Sequence, residues 1–197
     1  MSRAHREYFN RLAPEWNDRM TDDSEFIQHL IQFGVSPGDS VLDIGAGTGR
    51  MTKHLIGLVG DNGRIVAEDI AEAMLLEGKR RLGNHTHHWL CDDVKALAIK
   101  DETFDKVLCF SAFPHFTHPK KALAEMHRVL RHGGKLLILH TASSLQLNAF
   151  HASLDGIVCH DRLPAAETMI PMLRQTGFRP ERIQEKENLY WVQAEKI

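Results

Sequence analysis

Apolar positions in this chain fall into short near-continuous runs that alternate with stretches of helical spacing. Runs at 41–44, 64–67, 87–91, 104–110 and 135–139 have the length of strands buried on both faces. Between them, Arg50 to Val59 repeats apolar residues at Met51, Leu55, Ile56, Leu58 and Val59. Ala71 to Leu82 is a second helical stretch, and Pro119 to Leu130 gathers Ala122, Met126, Val129 and Leu130. Residues 1–36 read as a helical cap. His5 to Leu12 carries Tyr8, Phe9 and Leu12 on one face, Pro14 breaks it, and Glu25 to Phe33 follows, capped by Asp23 or Ser24 and stopped by Gly34. Past the fifth strand, 141–166 is longer than a minimal crossover, with a helix from Leu145 to Leu154 and an irregular stretch to Pro164. Glu167 to Gln175 is the last helix, and Phe178 to Glu185 with Leu189 to Glu195 makes a terminal hairpin. The expected fold is α/β: one domain over 1–197, with a seven-stranded sheet parallel but for its last strand and helices on both faces.

The first strand ends in a glycine turn, Val41-Leu42-Asp43-Ile44-Gly45-Ala46-Gly47-Thr48-Gly49. Strand, glycine turn and helix open a βαβ unit in which a ligand can approach bare backbone, and the helix amino terminus favours a carboxylate or phosphate. Nicotinamide and flavin enzymes use a similar turn, but their third glycine would stand where this chain has Arg50. The spacing here is G-x-G-x-G, with Asp43 two residues before the first glycine.

That pattern resembles motif I of the class I S-adenosylmethionine-dependent methyltransferases, V-L-D-[IVL]-G-x-G-x-G. Such a family has a Rossmann-like fold. The resemblance continues in "VAEDIAEAML", in Asp93 to Asp105, and in "ALAEMHRVLRHGGKLLI"; the phrase Tyr8 to Trp16 is similar to the opening of quinone-type and related small-molecule methyltransferases. It implies that Gly45, Ala46 and Gly47 let the methionyl part of the cofactor approach, with Asp43 near its ammonium. Asp69, followed by Ile70, aligns with the ribose-binding acid; Glu68, one place off register, should point away. Met74 falls where relatives pack an apolar side chain over the cofactor. Asp93 is the implied contact to the adenine amino group, with Val94 beside the ring. Asp92 departs from the pattern, since relatives have glycine there. Tyr8 and Trp16 belong to a segment lying over the cofactor mouth in relatives, and Ser111 borders the site at the end of the fourth strand. From the residues alone, the first 36 could equally be an amphipathic cap on the sheet edge, and Asp69 could be a plain helix N-cap.

Composition narrows the partners. The 197 residues are 43% hydrophobic and 25% charged, enough for a sizeable core. A net charge of -2 carries no basic footprint for nucleic acid, and the N/D-P-P-Y/F motif of DNA-amino and glutamine methyltransferases is absent after the fourth strand. With no membrane-length apolar run, no signal-peptide core and three widely spaced cysteines, a cytoplasmic protein is expected, with Cys109 a reduced core residue. The expected partner is a small-molecule methyl acceptor, and the product S-adenosylhomocysteine. Two rivals share the fold: a nicotinamide oxidoreductase, and a non-enzymatic regulator that binds S-adenosylmethionine or a metal.

The 13 histidines set that last rival apart. His115 and His140 follow the fourth and fifth strands, which makes them candidate general bases for an acceptor that loses a proton. His115, His151, His160 and Asp161 form a candidate divalent-metal set, although their spacings match no short metal motif. His85, His87 and His88 read as loop or strand-surface residues.

Overall fold

The computed structural model describes residues 1–19, 25–83 and 87–197. The apolar runs become seven strands: β1 (Ser40–Ile44), β2 (Arg64–Asp69), β3 (His87–Cys91), β4 (Phe104–Phe110), β5 (Leu130–His140), β6 (Phe178–Lys186) and β7 (Leu189–Lys196). They form one sheet in the order β3-β2-β1-β4-β5-β7-β6. Only β7 runs against its neighbours, pairing antiparallel with both β5 and β6. The expected Rossmann-like α/β architecture is therefore the observed one. Chain direction across the sheet reverses between β1 and β4, so their carboxyl ends splay helices apart and leave a crevice.

Among the described residues, seven α-helices cover the sheet: α1 (Arg3–Leu12), α2 (Glu25–Phe33), α3 (Thr52–Val59), α4 (Glu72–Leu82), α5 (Pro119–Val129), α6 (Ser144–Ala152) and α7 (Met169–Gln175). Side chains alternate along β1 as a pleated strand demands. Leu42 and Ile44 join a core with Val107, Ile138, Leu123 of α5 and Leu173 of α7, whereas Val41 joins Leu108, Leu137 and the α2 residues Phe26, Leu30 and Phe33. Burial on both faces is what the continuous apolar runs encode.

Several details differ from expectation. The strand expected at 135–139 begins at Leu130, which pairs with Phe104 across a register shift. Gly133 at φ +74 lets this bulged entry bend. The helix expected from Arg50 starts at Thr52, because residues 46–51 are spent in the turn. His87, expected at the surface, is buried at 1% exposure with its ring edge-on to Trp89, 5.2 Å away. One-residue alternation puts His88 outward instead. Asp23, Ser24 and His85 lie outside the described residues. Cys109 is buried and all three cysteines are free.

Candidate active site

The glycine turn is held by packing before any ligand is considered. Gly45 has φ +66, and a Cβ there would run into the Cβ of Ala112 beyond β4. Its bare Cα therefore serves the β1–β4 approach rather than a ligand. A Cβ on Gly49 would meet Leu82 at 2.8 Å and Trp89 at 2.9 Å, which is close helix-to-strand packing. Gly47 is different. At φ +56 its added Cβ would meet only the indole Nε1 of Trp16 at 3.8 Å, so this backbone lies open beneath an aromatic ring.

Above the turn is a cleft open to solvent, bordered by the glycine turn, by the ends of β1, β2 and β4 and by the aromatic rings of Phe9 and Trp16. Nine residues expected at the site border it: Asp43, Gly45, Ala46, Gly47, Asp69, Met74, Ser111, His115 and Trp16. Five do not. Tyr8 lies one residue round α1 and borders a separate depression with Gly156 and Ile157, while Phe9 takes the cleft position. Ile70 packs against the core, Val94 is buried in it, and His140 is sealed at 2% exposure. Asp93 accepts a hydrogen bond from the Met1 amino group at 3.4 Å, and Met1, itself a cleft residue, stands between it and the opening. Arg50, Met51 and Phe110 also border the cleft and were missed by the motif. Met51 and Phe110 sit among the apolar positions, where helix and strand periodicity marks them only as core.

Asp43 and Asp69 set the electrostatics. Asp43, 1% exposed, accepts a hydrogen bond from the Thr52 hydroxyl at 2.7 Å. Burial pushes its pKa up to about 7, against that hydrogen bond and with help from neighbouring Asp69. Asp69 accepts from the Gly47 N–H at 2.9 Å and the Ala71 N–H at 2.8 Å. Burial still lifts its pKa to about 6. The Ala71 bond closes a local turn ahead of α4, whose N-cap is Ala71 and has no side-chain capping bond, so Asp69 is not that helix's cap; it borders the cleft with lone pairs left over. Glu68 does not face the cleft. It is tucked under the turn at 2% exposure, accepts from the Gly45 N–H, and burial holds its carboxyl well above the usual range.

The segment before β1 is tied directly to this site. The Asn17 side chain accepts from the Thr48 hydroxyl at 2.7 Å, and Asn10 accepts from the Ala73 N–H at 2.9 Å. Phe9 meets Trp16 edge-on at 5.8 Å and His115 at 4.9 Å. At the end of β4, Ser111 takes φ +54, a strained conformation for a residue with a Cβ, and the chain then turns through Phe113–His115.

On the wall opposite the glycine turn, His115 Nδ1 lies 2.6 Å from a carboxylate oxygen of Asp161, and His5 Nε2 lies 3.0 Å from the other. Burial disfavours the Asp161 charge, but these two imidazoles outweigh it and lower the pKa to about 2. His151 is close to His115, with ring centroids 5.3 Å apart. His160, exposed in the turn at Ile157–His160, is not part of this cluster, and His5 takes the place expected for it. Nothing in the local spacing marks His5, because its partner lies 156 residues away.

Comparison with known proteins agrees with the geometry. Residues 41–134 match a family model described as a methyltransferase domain. The chain is 37% identical over 124 residues to the ubiquinone/menaquinone biosynthesis C-methyltransferase UbiE of Hydrogenovibrio crunogenus, covering 60% of this chain and 49% of that one. To its counterpart in Hahella chejuensis it is 41% identical over 110 residues, covering 54% and 44%. The chain thus spans about half the length of the curated relatives it matches. The crystal structure of a SAM-dependent methyltransferase from Aquifex aeolicus superposes with a TM-score of 0.75 at 21% identity over 98% of each chain, a likeness of fold.

Proposed function

We propose that this chain is a class I S-adenosylmethionine-dependent methyltransferase that moves a methyl group from S-adenosylmethionine to a small-molecule acceptor, a reading supported by the match of residues 41–134 to a methyltransferase domain and by the similarity to the UbiE C-methyltransferases. The observation that carries the reading is the pair of buried carboxylates, Asp43 and Asp69, beside the half-buried Gly47 backbone that borders the cleft. Carboxylates held against their own ionisation favour a ligand that brings positive charge, and an ammonium with a nearby sulfonium does so where a pyrophosphate would repel.

In this reading Asp43 receives the ammonium, Asp69 the ribose hydroxyls, and Met74 packs on the cofactor. Arg50, on the cleft wall, suits the cofactor carboxylate. Asp93 and Val94 take the adenine once Met1 gives way. Transfer is an in-line displacement at a carbon already activated by sulfur, so the protein supplies alignment and exclusion of water. Residues 1–36 act as the lid through Phe9 and Trp16, and 141–166 form the acceptor side. Acceptor and carbon-directed chemistry like that named for the UbiE relatives is one candidate among small molecules. No helix among the described residues is long and apolar enough to cross a membrane; with three free cysteines, the cytoplasm suits the chain.

Calorimetric titration with S-adenosylmethionine tests the reading, followed by assay of S-adenosylhomocysteine with a panel of acceptors. Saturable one-to-one binding is expected. A cleft that ignores this cofactor yet takes NADH would overturn it.

A further inference from the structure

We propose that His5, His115 and Asp161 form a divalent transition-metal site against the acceptor side of the cleft. These donors come from α1, from the turn after β4 and from the segment after α6, and their ligand atoms all lie within 4.8 Å of one another. A tetrahedral ion with bonds of about 2.1 Å would hold its donors about 3.4 Å apart. Here the carboxylate oxygens stand 3.0 Å from His5 Nε2 and 2.6 Å from His115 Nδ1, so shifts of less than about 1 Å admit an ion.

The outer contacts orient the rings as ligand histidines are usually oriented. His5 Nδ1 is engaged by the Ser2 hydroxyl at 2.7 Å, leaving Nε2 for the cluster. His151 Nδ1 is engaged by the Asp161 carbonyl at 3.3 Å, which fixes the backbone that carries the carboxylate. A second observation points the same way. His140 is 2% exposed, and its Nε2 has no hydrogen-bond partner. It ends β5, which pairs with β4, the strand that leads into the turn carrying His115. Leaving a buried imidazole nitrogen unpaired is costly, and water bound to an ion would give it a partner.

Two imidazoles with one carboxylate suit zinc, cobalt, nickel or ferrous iron; magnesium and calcium prefer all-oxygen shells. Because His115 also lines the cleft, the ion would face an acceptor and hold one that carries an ionised oxygen or sulfur. The metal site itself does not rest on the methyl-transfer reading; only this acceptor assignment does.

Untagged protein stripped with a chelator and titrated with Co(II) and Zn(II), with bound metal counted by mass spectrometry, tests the proposal. One equivalent per chain is expected, with visible Co(II) absorption of a low-coordinate nitrogen–oxygen site. Asp161→Asn, His115→Ala and His5→Gln should each weaken binding by about tenfold or more, while His118→Ala, at an exposed histidine outside the cluster, leaves it unchanged. S-adenosylmethionine titrations on the same variants report folding and the cofactor cleft separately. Metal binding that is absent in the parent, or equal in Asp161→Asn and His118→Ala, overturns the proposal and leaves Asp161 as a hydrogen-bonding partner that orients His115.

Discussion

Cofactor affinity should depend on pH through the two cleft carboxylates, and the sign is fixed by which way burial moves them. In the free protein Asp43 titrates at about 7 and Asp69 at about 6. A bound ammonium and sulfonium favour the ionised forms, so binding releases protons and tightens as pH rises. Between pH 6 and pH 7 the Asp43 equilibrium contributes about a fivefold gain and Asp69 about a further twofold. The expected total is therefore about tenfold, or about 1.4 kcal/mol. Calorimetry from pH 5.5 to pH 7, below the range where the ligand's own amino group titrates, in buffers of different ionisation enthalpy, reads both the affinity and the protons released. Asp43→Asn keeps an acceptor for the Thr52 hydroxyl but removes the larger titration, so its slope should fall to the Asp69 part. Affinity that is flat or weakens with rising pH, or an unchanged slope in Asp43→Asn, would refute the electrostatic argument for this cleft.

The free protein should respond to pH in the opposite sense. A folded-state pKa raised above the unfolded value contributes stability that is complete below about 4 and lost as pH rises through the folded pKa. For Asp43, moved from 3.8 to about 7, the loss is on the order of 4 kcal/mol across that window. Denaturant melts should thus show Asp43→Asn more stable than the parent at pH 8 and the difference shrinking toward pH 4; a parent that gains stability across the window contradicts the assignment. Two glycines of the turn should separate folding from binding. Gly45→Ala drives a methyl into Ala112 and should cost about 2–4 kcal/mol in urea unfolding. Gly47→Ala meets only Trp16 at 3.8 Å, so it should fold with a loss of about 1 kcal/mol and show its main effect as weakened cofactor binding. Equal behaviour of the two would mean the turn has been misread.

Local pattern carried the architecture of this chain because its causes are local. Seven strands and their helices follow from period-two and period-3.6 burial, and the turn from glycines that adopt positive φ at Gly45, Gly47 and Gly49. Asp43 and Asp69 were legible for the same reason, each lying at the end of a strand in a fixed offset from the turn. Tertiary structure decided what distance along the chain conceals. Phe9 rather than Tyr8 enters the cleft because the rotation of α1 is set by its seat against α4 and the late turn at Ile157–His160. Gly45 is reserved for Ala112, a contact between two strands far apart in sequence. His5, His115 and Asp161 meet only because the first helix and the segment after α6 both reach the turn that follows the central strand β4. A motif reports the backbone's neighbours along the chain; a cluster of side chains from three segments exists only once the sheet order has brought their ends together.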